Sequence, residues 1–143
     1  MIRVGADARS VVVEREFAHP PERLWRALTQ PHLIAEWLME NDFVPDVGHR
    51  FTLTGEWGGV LDCEVLEIEP NETLSYTWNH RHADPAFDLE SVVTFTLAPT
   101  RDGTRLRMEQ TGFRPDQKQA FGGAKVGWGR FLGRLEQVAA RIG

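Results

Sequence analysis

Cysteine occurs once, at Cys63, so an internal disulfide framework is excluded. Positive charge is also scarce: 16 Lys and Arg stand against 21 Asp and Glu, for a formal net charge of −5. That balance argues against a general binder of nucleic acid or of anionic membranes. No apolar run approaches the ~20 residues of a membrane span. Residues 1–10 carry charges and no apolar stretch, so they do not read as a signal peptide. A cytoplasmic protein is therefore expected. The serines are Ser10, Ser75 and Ser91, and none sits in a Gly-x-Ser-x-Gly elbow, which argues against a serine hydrolase. Phosphate-loop and dinucleotide fingerprints are missing as well. Gly122-Gly123 and Gly127-x-Gly129 do not follow a strand in the way such sites require.

What the chain does have is tryptophan. Trp25, Trp37, Trp57, Trp78 and Trp128 stand beside a single tyrosine, Tyr76. Each indole can bury a large apolar area while offering one N–H donor. Such residues build cores, and they also line pockets for flat or hydrophobic ligands. With 143 residues and 41% hydrophobic content the chain is expected to form one domain with a sizeable core. Residues 1–9 read as a loose lead-in.

The hydrophobic period changes along the chain. Residues 10–18 alternate and are rich in valine, which predicts a strand. His19-Pro20-Pro21 ends it, and residues 21–28 then run helical, with Leu24 and Leu28 four apart. Pro31 opens a second short helix through the pairs Leu33/Trp37 and Ile34/Leu38. After Asn41-Asp42 the period becomes two. Strands are predicted over 43–47, through Phe51, Leu53 and Trp57, over 60–69, through Leu74, Tyr76 and Trp78, through Val93, Phe95 and Leu97, and through Leu106, Met108 and Gln110. Gly48, Gly58-Gly59, Pro70-Asn71-Glu72 and Asp102-Gly103 mark the turns between them. The polar stretch 79–88 reads as a loop or a frayed strand end. From 117 to 142, Phe121, Ala124, Trp128, Phe131, Leu135, Val138 and Ile142 recur at steps of three and four. That is one apolar stripe on a helix of roughly 39 Å, at 1.5 Å per residue. A long amphipathic helix after a run of antiparallel strands must lay its stripe on a sheet face.

These residues resemble a known family. Pro21-Glu22-Arg23-Leu24-Trp25-Arg26-Ala27-Leu28-Thr29 with Trp37-Leu38 is similar to the start of the domain named after the activator of the heat-shock protein 90 ATPase (AHSA-type). That domain belongs to the START-like, helix-grip superfamily, also called SRPBCC, Bet v-like or polyketide cyclase. Gly48 with Phe51, Val65 with Glu67-Ile68-Glu69-Pro70, Leu74 through Trp78, Val93-Thr94-Phe95, Gly103-Thr104 with Leu106, and Gly127-Trp128 with Leu132 and Leu135 continue the resemblance in order. It implies an α+β helix-grip fold: a curved antiparallel sheet of six to seven strands around the long C-terminal helix, with two short helices after the first strand. It also implies a deep apolar cavity, and says little about chemistry. The resemblance implies that such a cavity can serve binding or chemistry, since some members bind lipids, polyketides or other hydrophobic compounds and relatives in the superfamily catalyse cyclisation or hydration. The co-chaperones behind the name carry a further N-terminal domain for ATPase stimulation, and 143 residues are expected to leave no room for it. The family name is therefore not expected to describe the activity.

The expected function is non-covalent binding of a hydrophobic or aromatic small molecule between sheet and helix. The expected lining is Trp37, Phe43, Phe51, Leu53, Trp57, Trp78, Phe95, Met108, Phe121, Trp128 and Phe131, with Tyr76, His80 and Gln110 as polar anchors. The alternatives are a cyclase- or hydratase-type enzyme acting on a hydrophobic substrate, and a stress-response or co-chaperone-like interaction module. No cofactor, metal or nucleic-acid partner is expected, and the oligomeric expectation is a monomer or weak homodimer. His80, His82 and Asp84 alternate as metal ligands on a strand would, but Pro85 and the polar surroundings favour surface histidines on a loop. Cys63 between Asp62 and Glu64 reads as a buried, unreactive thiol. The helix glycines Gly122, Gly123, Gly127, Gly129 and Gly133 are costly at about 0.8–1 kcal/mol each. Close packing is expected to explain Gly133, and mobility near a ligand entrance to explain Gly122-Gly123.

Overall fold

A computed structural model describes residues 9–56, 58–80 and 88–142. Strand β1 (Arg9–Phe17) is followed by helices α1 (Pro21–Thr29) and α2 (Pro31–Trp37). Strands β2 (Glu40–Asn41), β3 (Arg50–Thr54), β4 (Val60–Glu69), β5 (Thr73–His80), β6 (Leu89–Pro99) and β7 (Thr104–Phe113) come next, and helix α3 (Lys118–Ile142) closes the chain. The sheet order is β1-β7-β6-β5-β4-β3-β2, antiparallel throughout. Strands β2 to β7 form a meander, and β1 returns to pair with β7. This is the expected α+β helix-grip architecture. None of its helices is long and apolar enough to cross a membrane among the described residues.

Local chemistry sets the helix starts. Pro21 and Pro31 occupy first turns, where the missing N–H costs no intrahelical bond. Gln30 ends α1 by donating its N–H to the Arg26 carbonyl, and its own carbonyl accepts from Leu33 and Ile34 to begin α2. Trp37 then locks the two helices together through its indole N–H on the Ala27 carbonyl at 2.8 Å.

Three expectations need correction. Residues 43–47 form no strand, and the ladder segment is β2, just before them. Asx-type capture explains this: Asn41 Oδ1 accepts from the Phe43 N–H at 3.1 Å, and Asp42 Oδ1 from the Thr52 N–H at 2.7 Å. The backbone is thereby bent away from a ladder, yet Phe43 still turns into the core. The buried stripe of α3 is Trp128, Leu132, Leu135, Val138 and Ala139, while Phe121, Ala124, Phe131 and Ile142 are only partly covered. Steps of three and four fit both stripes, so periodicity alone could not separate Phe131 from Leu132. Strand β5 continues to His80 and β7 to Phe113, beyond the alternating runs that announced them.

The extension of β7 turns on a bulge. Ser10 pairs with Thr111, but Arg9 pairs with Phe113, so Gly112 has no partner of its own. Gly112 has φ of 126°, and a Cβ there would run into the Glu90 carbonyl oxygen. Only glycine suits that position. The extra residue shifts the alternation, so Phe113 joins Gln110 in the interior.

Candidate ligand-binding site

The inner sheet face and α3 meet through aromatic rings. Phe43 contacts Phe51 at 5.1 Å between centroids, Phe51 contacts Tyr76 at 5.2 Å, and Tyr76 contacts Phe95 at 6.0 Å. Phe95 then meets Trp37 at 6.1 Å and Trp128 at 5.7 Å. Trp128 touches Trp78 at 5.2 Å and Phe131 at 5.4 Å. Most of these pairs are edge-to-face, the arrangement favoured by the ring quadrupole. Leu53 and Met108 are fully buried in the same core. Most of the residues expected as lining therefore occupy the interior by packing on one another.

Space remains at one end of α3. A chamber of about 230 Å³ lies between its N-terminal half and the ends of the central strands. The strands supply Trp78, Leu89, Gln110 and Phe113, the segment after α2 supplies Met39, and α3 supplies Ala120, Gly123, Ala124, Gly127, Trp128 and Phe131. At ~30 Å³ per water this equals about eight waters, the size of one or two rings or a short alkyl chain. The cause is the run of small residues on α3. A Cβ built on Gly123 or Gly127 would meet nothing within 4 Å. Close packing does not explain Gly133 either, where the nearest atom to a Cβ is Arg15 Nη1 at 4.0 Å.

Among the described residues, the walls of this chamber include one side-chain amide, that of Gln110, which is 2% exposed. Its orientation is determined by its neighbours. The Trp128 indole can only donate, and its Nε1–H meets Gln110 Oε1 at 2.8 Å. Gln110 Nε2 therefore faces Ser91 and donates to its Oγ at 3.0 Å. The Ser91 hydroxyl passes its own proton to the Trp78 carbonyl at 2.6 Å. The amide retains one N–H and one lone pair beyond these bonds.

Beside this chamber lies a wider, more polar recess of about 530 Å³. Its walls are Glu36, Leu38 and Glu40 on one side, Thr54 to Glu56 at the β3–β4 turn, and Arg130 and Arg134 on α3. Met39, Gly127 and Phe131 border both spaces. Together the two form an apolar inner chamber beside a charged outer one, with those three residues as their common border.

Of the expected site residues, Trp78, Gln110, Trp128 and Phe131 border the inner chamber. Trp37, Phe43, Phe51, Leu53, Tyr76, Phe95 and Met108 lie deeper in the core. Phe121 packs edge-on against Phe113 at 5.7 Å, beneath the Lys125 ammonium at 4.7 Å. His80 ends β5 opposite Leu89, and Trp57, His82 and Asp84 lie outside the described residues. Met39, Leu89 and Phe113 are chamber walls that the sequence reading missed. Gly112 was the one available signal for Phe113. Among the described residues, no group of three or more His, Cys, Asp or Glu is placed to hold a metal.

Burial, then Asp62, then Asp42, pushes the Cys63 thiol up to about 12. Burial, then Cys63, raises the neighbouring Tyr76 phenol well above its ordinary value. Both groups are therefore neutral at physiological pH, and neither is an activated nucleophile.

The family model of the Activator of Hsp90 ATPase homolog 1-like protein matches residues 18–140. The chain belongs to that family. Its fold is that of other members of the START-like class. Protein MLL2253 from Mesorhizobium loti is 70% identical, with a TM-score of 0.91 over 94% of this chain and 99% of that one. CalU16 from Micromonospora echinospora is 25% identical, with a TM-score of 0.78 over 97% of this chain and 82% of that one. DynU16, from the dynemicin biosynthetic locus, shares the fold at 24% identity and a TM-score of 0.77, over 96% of this chain and 48% of its own. No curated protein matches this AHSA-type chain.

Proposed function

We propose that this protein binds a hydrophobic or aromatic small molecule non-covalently in the chamber between α3 and the sheet. The observation that carries the reading is the pairing of an apolar chamber with one buried amide whose hydrogen-bonding capacity is not exhausted. An apolar body would displace water from the chamber, and Gln110 would select ligands presenting a carbonyl or hydroxyl at that end. Pockets built this way gain affinity from burial and orientation from few polar groups. The walls contributed by described residues include no carboxylate or imidazole that could act as a general acid or base. That favours binding over catalysis. The fold shared with a protein of the dynemicin biosynthetic locus is in keeping with small-molecule handling.

Intrinsic fluorescence tests the proposal, because Trp78 and Trp128 are both walls. A panel of flat aromatic and fatty compounds is titrated into the protein and into a Gly123→Leu/Gly127→Leu double variant. The parent should give several weak binders. The variant should fold, since both positions face open space, and should lose binding by about tenfold or more as two side chains fill the chamber. A panel that shifts neither fluorescence nor melting temperature would overturn the proposal, as would undiminished binding in the double variant.

A further inference from the structure

We infer that the ligand is an anionic amphiphile whose carboxylate or phosphate is held by Arg130 and Arg134 while its apolar part enters the inner chamber. The inference rests on the binding role proposed above and adds the charge and polarity of the ligand.

Arg130 and Arg134 are one turn apart on α3, so their stems lie side by side. They continue the edge of the helix that carries Gly127 and Phe131, the residues bordering both chambers. Neither makes a hydrogen bond or ion pair among the described residues. Elsewhere on the surface, Arg50, Arg105, Arg107, Arg114 and Arg141 each hold a carboxylate. One of those pairs takes Glu36 of the outer wall, which accepts from Arg141 at 2.6 Å. Two guanidiniums, always charged and fork-shaped, therefore line the recess beside the apolar chamber without an ion-pair partner among the described residues. Their geometry matches a carboxylate or phosphate.

Glu40 and Glu56 stand in the outer chamber too, but on the β2 and β3–β4 side. They come from separate segments and do not form a helical pair. Their charge repels an anion toward the α3 wall, which fixes the direction in which an amphiphile lies. Its head faces the arginines, and its apolar body passes Gly127 into the inner chamber. Gly127, on the border of both spaces, has no side chain to obstruct such a ligand, and a Cβ there would project into open space.

Matched ten-carbon ligands test this with the full chain: decanoate, decyl phosphate, decanol and decylamine, titrated at low salt into the parent and an R130Q/R134Q variant. The parent should bind decanoate or decyl phosphate about tenfold tighter than decanol, and added salt should narrow the gap. Which of the two anions binds more tightly distinguishes a carboxylate from a phosphate head. In R130Q/R134Q the preference should vanish while the decanol affinity stays. Both arginines are exposed, so the variant should melt as the parent does. Equal binding of decanol and both anions by the parent would overturn the inference and leave the chamber reading standing. So would a preference that survives in R130Q/R134Q, or tighter binding of decylamine. Failure of all four ligands, decanol included, would overturn the chamber reading and this inference together.

Discussion

The Trp128 indole N–H donates to Gln110 Oε1 at 2.8 Å, joining helix α3 to strand β7 inside the core. Fold and candidate site meet in this bond. It anchors the helix over the sheet, and it sets which edge of the Gln110 amide remains for a ligand.

Trp128 should therefore be the residue to which stability is most sensitive. Trp128→Ala removes a ring packed on Trp78, Phe95 and Phe131, and a truncation of this kind costs about 3–5 kcal/mol. Against a total of roughly 5–15 kcal/mol, little folded protein should remain. Trp128→Phe keeps a ring but leaves Gln110 Oε1 without its donor, at about 1–3 kcal/mol. Urea titrations should rank the parent above Trp128→Phe and Trp128→Ala last. An unchanged melting temperature in the alanine variant would refute the core assignment of this residue.

Opposite behaviour is expected of the solvent-facing glycines of α3. Gly122 and Gly129 are exposed, and a Cβ at either meets nothing within 4 Å. Gly122→Ala and Gly129→Ala should each raise stability by about 0.8–1 kcal/mol through helix propensity alone, with ligand affinity unchanged. Gly103→Ala should do the reverse, because its Cβ would run into the Phe17 carbonyl oxygen at the β6–β7 hairpin. Calorimetric melting of the three variants decides the matter. A loss of stability in Gly129→Ala would mean that the outer face of α3 is covered in solution.

Much of the fold was legible because its elements announce themselves by period. The valine-rich β1, the hairpins at Gly58-Gly59 and Asp102-Gly103 and the long α3 all follow from local pattern. The errors came where a side chain competes with the ladder, as Asn41 and Asp42 do, or where one extra residue shifts the alternation, as Gly112 does before Phe113. The site was harder to read for a different reason. Large aromatics look like pocket walls in a sequence, but at facing positions they meet and fill the space, as Phe51, Tyr76 and Phe95 do. A chamber persists where the facing residues are small, and Ala120, Gly123, Ala124 and Gly127 were recognisable as such only once the sheet lay opposite them.

That distinction separates two kinds of charged substitution. Met108 is fully buried and pairs across the ladder with Phe95. Met108→Glu places a carboxylate among core side chains with no water and should prevent folding. Ala124→Glu sits on a half-covered chamber wall, where the carboxylate can reach solvent. It should fold and weaken apolar ligands. Circular dichroism separates the two outcomes, and a well-folded Met108→Glu variant would show that the interior is more open than the ring contacts indicate.

Alkaline pH should weaken the fold through Cys63. Its thiol is raised from 9.0 to about 12, mainly by burial and then by Asp62 and Asp42. The unfolded chain therefore loses this proton first, and the folded state binds more protons between those values. The contribution is fully present below pH 9 and is lost as pH rises toward 12, at no more than about 1.4 kcal/mol per pH unit. Tyr76 acts in the same direction from its ordinary value of 10.0 upward, raised by burial and then by Cys63. Urea midpoints measured from pH 8 to pH 11 should stay level and then fall above pH 9. In Cys63→Ala the fall should begin about one unit later, where Tyr76 alone remains. Parent and variant declining in parallel from pH 9 would assign the alkaline loss to other groups and show that Cys63 is reachable by solvent.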